Sequence, residues 1–244
     1  MNPIELLDAI TSGKPIERKV IVREGISIKE IGALVEEAGL LSKLDFDNSL
    51  TDRSLVQISG SDNGQLEGYL FPKTYLFSRP ISAKEITTKM IKVGLEHWSQ
   101  SYSDRVDQIG MTRHKIITLA SIIEKESGKV DEQPTISSVF HNRLKLKMPL
   151  QSDPTVIYGL GTEFDGNLTK EHLETATPYN TYIVNGLPPG PICNPGDSAI
   201  HAALYPAETN YLYFVADGTG GHKFSATLEE HNANVQQYQI NNKS

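Results

Sequence analysis

Residues 112–126 read TRHKIITLASIIEKE. Apolar residues recur at Ile116, Leu119 and Ile123, the i, i+3, i+7 spacing that places side chains on one face of a helix. Thr112 is a residue type that caps the start of helices. The stretch therefore predicts a helix that begins at Thr112 and buries a broad apolar face.

More helices are predicted on both sides of this one. Ser82-Ala83-Lys84-Glu85 is a capping box that opens a helix reaching about Gln100. The Pro-, Gly- and Asn-rich stretches 151–161 and 177–196 are expected to be loops, and loops this long inside a domain are usually functional. Downstream, the sequence predicts three further helices, at about 134–146, 198–204 and 227–240.

The strands are few and short. Residues 211–216 alternate and are rich in β-favouring types, 217–221 form a turn, and 222–226 return, so this region predicts a hairpin. The glycines 218–221 are more simply explained by that turn than by a phosphate-binding loop. Helices segregated from a few antiparallel strands indicate an α+β fold.

The N-terminal region predicts a small subdomain. A strand is expected at 19–22, a helix from the capping box Ser27–Glu30 to Gly39, a second helix near 42–46, and a closing strand at 55–58. Residues 60–64 are rich in Ser, Asp, Asn and Gly and are typical of a linker. We therefore divide the chain into a subdomain at 1–62 and a larger domain at 63–244.

Composition excludes several classes of protein. The 244 residues are 38% apolar and carry 23 Lys plus Arg against 30 Asp plus Glu, a net charge of −7. This is a folded, acidic composition that argues against nucleic acid as a main partner. The single cysteine, Cys193, can form neither an internal disulfide nor a paired-cysteine zinc site. No apolar stretch reaches about 18 residues, so the chain as given is expected to be soluble, and any membrane anchor would lie upstream.

The common catalytic signatures are absent. The sequence has no phosphate-binding P-loop, serine-hydrolase elbow, zinc-protease motif or dinucleotide fingerprint. The seven histidines are not paired at the spacing of metal ligands on a helix. We therefore expect neither a metal nor an organic cofactor.

Two glutamates at the end of the 112–126 helix are candidates for acid–base chemistry. At about 100° per residue, Glu124 and Glu126 both lie at margins of the apolar face, whereas Lys125 points away. Partial desolvation at such a margin raises a carboxyl pKa and suits the group to general acid catalysis. The alternative is that both are boundary residues held by Lys or Arg, and helix geometry alone does not choose between the two glutamates.

Several long motifs resemble those of the YceG-like family of endolytic murein transglycosylases. They are EGYLFPKTYLF from Glu67, IITLASIIEKES from Ile116, FHNRLKLKMPLQSDPTVIYGLG from Phe140, TPYNTYIVNGLPPGPICNPG from Thr177 and YLYFVADGTGGHKFSATLEEHN from Tyr211. The resemblance covers the chain from about Lys19 onward. It implies a LysM-like N-terminal subdomain, peptidoglycan glycan strands as substrate, and the second Glu of EKE, Glu126, as catalytic acid.

The implied reaction needs only one carboxylate. A lytic transglycosylase cleaves the β-1,4 bond between N-acetylmuramic acid and N-acetylglucosamine without water, because the C6 hydroxyl of the muramic acid attacks C1 to leave a 1,6-anhydro end. An internal nucleophile has a high effective molarity, so no second carboxylate has to activate water. Glu126 can protonate the leaving oxygen and then accept the hydroxyl proton.

The resemblance also points to substrate-binding residues in the loops around Glu126. Pro154 is expected to hold Asp153 in an extended conformation. Asp153 could instead be a second catalytic carboxylate or a turn cap. Asn142 and Arg143 could orient a substrate carboxylate or pair with Glu126, and the structural role is favoured. The predicted substrate contacts are Glu67, Tyr69, Gln151, Ser152, Asp153, Tyr158, Tyr179, Asn180 and Tyr182.

Two other functions stay open at this stage. One is a muramidase-type hydrolase that uses Glu126 with Asp153. The other is a non-catalytic cell-wall scaffold. The family resemblance further implies a location in the cell envelope, with the catalytic domain facing the wall from a single-pass membrane anchor, and penicillin-binding proteins among the possible partners.

Overall fold

The structure, a computed structural model, describes Asn2 and residues 16–240. Within that part of the chain it has four short strands: β1 (Glu17–Val22), β2 (Lys73–Ser78), β3 (Tyr213–Ala216) and β4 (His222–Ser225). The α-helices, in chain order, are α1 (Ile28–Glu37), α2 (Lys43–Ser49), α3 (Arg53–Ser59), α4 (Ala83–His97), α5 (Gln100–Ile109), α6 (Arg113–Glu126), α7 (Gln133–Lys145), α8 (Asp153–Leu160), α9 (Lys170–Glu174), α10 (Asp197–Leu204) and α11 (Leu228–Val235). Short 3-10 turns at Val130–Glu132 and Gly161–Glu163 and a π turn at Gln236–Ile240 complete it. The strands form two separate antiparallel pairs among many helices, so the predicted α+β class is confirmed.

The first sheet joins the N-terminal region to the chain beyond residue 62. β1 pairs with β2 in antiparallel register, with Val20 opposite Tyr75. Tyr75 and Phe77 are buried, whereas Leu76 between them is exposed, which is the alternation of a half-buried strand. β1 is predicted from the sequence, whereas its partner β2 is found only in the structure, although this alternation is visible in residues 73–78.

The predicted closing strand at 55–58 is wrong, because these residues belong to α3. Asp52 caps this helix by accepting a hydrogen bond from the Ser54 backbone N–H at 2.8 Å. Leu55 and Ser59, four residues apart, are its buried positions. The apolar residues thus follow a helical spacing that a four-residue window is too short to reveal.

One hydrophobic cluster unites the N-terminal helices with β2 and α4. Val35, Phe46 and Leu55 pack in the same cluster as Leu70 and Met90. The division of the chain at residue 62 stays a prediction, and the cluster itself continues across that position.

α6 lies at the centre of the larger region, as its apolar face predicts. Every residue from Ile116 to Ile123 is buried. α6 packs against α7 and most extensively against α10, whose Ala199 and Ala203 are fully buried. Small residues on α10 let the two helices approach closely. This packing holds α6, and with it the C-terminal end of α6, in a fixed position relative to α10.

The stretch 151–161 was expected to be a loop, but most of it is α8. Pro154 lies in the first turn of α8, where its missing N–H is not needed. The expectation that Pro154 keeps Asp153 extended is therefore wrong, because Asp153 is the first helical residue. Asp153 and Pro154 mark the start of a helix here, and Gly161 marks its C-terminal cap.

Two further boundaries differ from expectation. The helix predicted to reach Gln100 ends at His97, and Ser99 caps the separate helix α5 by accepting from the Tyr102 N–H. The C-terminal helix turns into a π turn after Val235. The predicted hairpin at 211–226 is confirmed as β3 and β4. Within the described residues, no helix has the length and apolar character needed to cross a membrane.

Candidate active site

Glu126 is the last residue of α6 and faces a cleft of about 380 Å³. Its Oε1 accepts a hydrogen bond from the Ser152 hydroxyl at 2.5 Å. Glu126 shares this cleft, hereafter the catalytic cleft, with Arg143, Leu150, Gln151, Asp153, Tyr182, Phe214, Val215, Ala216, His222, His231, Val235 and Gln239.

The environment of Glu126 favours its protonated form. Burial raises the pKa of Glu126 from 4.5 to about 7, which is the largest effect. The negative charge of Asp153 also raises this pKa, while the Ser152 hydrogen bond and the Arg143 charge lower it. A carboxyl group with a pKa near neutrality can both donate and accept a proton.

Ser152 is positioned for this contact by the segment around Thr181. The Ser152 backbone N–H donates to Thr181 Oγ1 at 3.0 Å, and the Gln151 N–H donates to the Thr181 carbonyl at 3.0 Å. Ser152 precedes α8 in the N-cap position, yet its side chain makes no capping hydrogen bond. The hydroxyl is therefore available to Glu126.

Arg143 supports the cleft wall rather than pairing with Glu126. Its guanidinium donates to the backbone carbonyls of Leu212 at 2.6 Å and Leu150 at 2.9 Å, and to Gln151 Oε1 at 3.3 Å. The neighbouring Asn142 donates to two backbone carbonyls in the segment before β3. The favoured expectation that these residues pair with Glu126 is therefore wrong, because their hydrogen bonds go to backbone carbonyls and to Gln151.

Asp153 lies in the same cleft with its own partner. Asp153 Oδ1 accepts a hydrogen bond from the Tyr182 hydroxyl at 2.6 Å. Burial and the Asp153 contact raise the pKa of Tyr182 well above its usual range. Asp153 remains exposed to solvent, so Gln151, Asp153 and Tyr182 form a polar rim beside Glu126.

Glu124 points to a different part of the molecule. Its Oε2 accepts a hydrogen bond from the Gly196 backbone N–H at 3.0 Å. Its Cγ packs beside Gly25, 3.4 Å from the point where a side-chain Cβ would lie if that residue were not glycine. Burial raises the pKa of Glu124 as well. Neither Glu124 nor Glu126 forms an ion pair with any residue that the structure describes. Of the two, only Glu126 lines the catalytic cleft.

Three of the predicted substrate contacts lie elsewhere, around a second cleft of about 740 Å³ between the N-terminal helices and the larger region. Glu67 and Tyr158 line this second cleft, and the Tyr179 ring packs 4.8 Å from that of Tyr158. Glu67 accepts hydrogen bonds from the Ile28 N–H at 3.0 Å and from Asn194 Nδ2 at 3.1 Å. Burial raises the pKa of Glu67 to about 7.

Two other predicted contacts are in the protein interior. Tyr69 is 4% exposed, and its hydroxyl is hydrogen-bonded to His114 Nδ1 at 2.7 Å. Asn180 is fully buried and donates to the Leu173 and Thr175 carbonyls. Tyr69 thus ties its own segment to α6, and Asn180 ties its loop to the end of α9.

The C-terminal hairpin and helix contribute residues to the catalytic cleft that are not predicted from the sequence. Phe214, His222 and His231 all line it. They lie in the motif that begins at Tyr211, but no spacing within that motif relates them to residue 126. Nowhere in the described ranges do three His, Cys, Asp or Glu side chains converge as metal ligands do.

Comparisons with known proteins identify a family and several relatives that this chain resembles in sequence. A model of the YceG-like family matches residues 1–237. An endolytic murein transglycosylase of Bacillus subtilis is 36% identical over an alignment of 248 positions. The alignment covers 96% of this chain and 69% of that protein. One of Streptococcus pneumoniae is 34% identical over 184 residues, or 73% of this chain and 33% of that protein. The chain thus spans about two thirds of the length of the first relative and one third of the second.

A solved structure agrees with this result. The crystal structure of a YceG-like protein from Listeria monocytogenes superposes with a TM-score of 0.81 and 38% identity, covering 96% of this chain and 81% of that one. At this identity the likeness extends to sequence as well as to fold.

Proposed function

Because the chain belongs to the YceG-like family, we propose that it is a peptidoglycan lytic transglycosylase with endolytic action. It cleaves the β-1,4 bond between N-acetylmuramic acid and N-acetylglucosamine and leaves a 1,6-anhydro end. The observation that carries this proposal is the environment of Glu126, a carboxyl group with a pKa of about 7 at the wall of an open cleft.

Glu126 serves in both proton transfers of the reaction. Protonated Glu126 donates its proton to the glycosidic oxygen as the bond from that oxygen to C1 of the muramic acid breaks. The resulting carboxylate accepts the proton of the C6 hydroxyl as its oxygen forms the new bond to C1. The leaving sugar thus gains one proton and the C6 hydroxyl loses one, so Glu126 ends the reaction in its starting, protonated state.

Around this group, Gln151, Asp153 and Tyr182 are the proposed sugar contacts in the catalytic cleft. Ser152 tunes and positions Glu126 through its 2.5 Å hydrogen bond. Tyr69 ties its segment to α6, and Asn180 ties the loop that carries Tyr182 to the end of α9.

The N-terminal region is proposed to place the strand. We assign a LysM-like role in glycan binding to residues up to 62, with Glu67, Tyr158 and Tyr179 beside the second cleft. The substrate places the protein in the cell envelope. A membrane anchor of the kind found in the family, and contact with penicillin-binding proteins that make the strands, complete the proposal.

A single digestion tests the reaction type. Purified glycan strands are incubated with the protein, and the masses of the products are measured by mass spectrometry. Anhydro ends, lighter by one water than hydrolytic ends, are the expected result. Ends at the hydrated mass would support the muramidase that uses Glu126 with Asp153. Tight strand binding with no cleavage would support a scaffold instead.

A further inference from the structure

The β3–β4 hairpin brings an imidazole to the catalytic cleft. His222 is the first residue of β4 and lines the cleft that contains Glu126. Its side chain is 11% exposed, and its ring packs edge-on against Phe214 with centroids 5.3 Å apart. The ring is therefore held in one place by its neighbours.

Glu132 fixes the orientation of this imidazole. Its Oε2 lies 2.8 Å from His222 Nδ1, and its Oε1 accepts the His222 backbone N–H at 3.2 Å. Gly221 allows the approach, because a Cβ at that position would lie 2.6 Å from Glu132 Oε1. A carboxylate accepts hydrogen bonds and cannot donate them, so the shared proton belongs to Nδ1.

The other ring nitrogen is left for a ligand. Among the residues that the structure describes, Nε2 of His222 has no hydrogen-bond partner. In the neutral form of the ring, a proton on Nδ1 leaves Nε2 with a lone pair. Such a lone pair accepts a hydrogen bond from a hydroxyl group, and hydroxyls are the most abundant hydrogen-bond donors on a glycan.

We propose that His222 is a substrate-contacting residue, whose Nε2 accepts a hydrogen bond from a sugar hydroxyl bound in the catalytic cleft, and that Glu132 is its positioning residue. This inference rests on the proposed function, since it takes a glycan strand as the ligand. It assigns a role to a carboxylate–histidine pair that the proton transfers of Glu126 do not use.

Two substitutions of His222 separate the contact from the fold. In His222→Asn the amide group takes the place of Nδ1, so it can keep the bond to Glu132 but does not reach the cleft. In His222→Gln the amide group takes the place of Nε2 and can still meet a hydroxyl. With purified glycan strands, we expect His222→Asn to lose about tenfold in kcat/KM, the value of one hydrogen bond, and His222→Gln to recover part of that loss.

Two further variants, His201→Asn and Glu132→Gln, serve as controls for the substitutions of His222. His201→Asn changes an exposed histidine that packs on Tyr205 away from the cleft and should leave kcat/KM unchanged. If His222→Asn does not fold, Glu132→Gln replaces it, because the amide no longer dictates which ring nitrogen carries the proton, and a severalfold loss is expected. Values of kcat/KM within twofold of wild type for the folded variant would overturn the inference while wild-type cleavage upheld the proposed function. No anhydro product from the wild type would overturn the proposed function itself.

Discussion

At the scale of single residues, Glu126 is the proposed catalytic acid, and its substitution tests that proposal directly. Glu126→Gln keeps the shape and can still accept from Ser152, but it can neither give nor take a proton. We expect cleavage to fall by about 10²- to 10⁴-fold with folding intact, measured as anhydro product formed per unit time.

Glu124→Gln is the matched control for that prediction. Glu124 is two positions away on the same helix and is also partly buried, yet its carboxylate accepts the Gly196 N–H outside the catalytic cleft. We expect most of the activity to remain in this variant. A dead Glu124→Gln together with an active Glu126→Gln would reverse the assignment.

Two neighbours of Glu126 should shift its pH profile in opposite directions. The reaction starts from the protonated form, so cleavage falls as pH rises through the Glu126 pKa of about 7. Ser152→Ala removes a bond that stabilises the ionised form, so its alkaline limb should move to higher pH. Asp153→Asn removes a negative charge that disfavours ionisation, so its limb should move to lower pH.

Rates measured across pH for the wild type and these two variants check this prediction. Asp153→Asn also tests the two-carboxylate alternative. If that variant lost an acid limb and most of its kcat, the hydrolase would be the better interpretation. A raised KM with an anhydro product is the outcome expected here.

At the scale of elements, the start of α8 carries the polar rim of the catalytic cleft. Gln151 has φ of 52°, a left-handed conformation that glycine adopts without strain. Gln151→Gly should therefore preserve the backbone while it removes the amide. We expect a severalfold higher KM for glycan strands, a nearly unchanged kcat and a melting temperature close to that of the wild type.

Lys147 offers a matched control, because it has φ of 57° and does not line the catalytic cleft. Lys147→Gly should leave both KM and kcat unchanged. An equal rise in KM in the two variants would mean that loop flexibility, and not the Gln151 amide, sets substrate affinity.

At the scale of the whole molecule, the N-terminal region and the larger region share buried surface. Removing residues up to 62 takes away β1 and exposes Tyr75, Phe77 and Met90, which are buried in the common cluster. We expect the remaining fragment to lose cooperative thermal unfolding, because each large buried apolar side chain contributes about 1.5–3 kcal/mol. A sharp transition in the isolated fragment would contradict this prediction.

A milder change tests the second cleft in the intact chain. Arg53 is exposed at its wall, so Arg53→Ala should not disturb the fold. In a Glu126→Gln background, binding to long strands should weaken more than binding to short fragments. Equal weakening for both lengths would mean that this cleft is part of the catalytic subsites.

The elements with strong local signals follow from the sequence alone, and so does the choice of Glu126 as the candidate acid. The capping boxes at Ser27 and Ser82 both form as predicted, and so does the 211–226 hairpin, because caps and tight turns depend on residues close in the chain. The margin position of Glu126 followed from helical periodicity, and the family resemblance singled it out from Glu124.

Which polar groups share the cleft of Glu126 depends on the tertiary structure. Ser152, 26 residues away, donates a hydrogen bond to Glu126 because α8 packs against α6. His222, 96 residues away, lines the same cleft because the hairpin packs against α7. The same is true of Asn194, which holds Ile26 and Glu67 together from a distant loop. Contacts of this kind depend on long-range packing, which leaves no periodic signal in the chain, whereas helices, caps and turns are set by neighbours within a few residues.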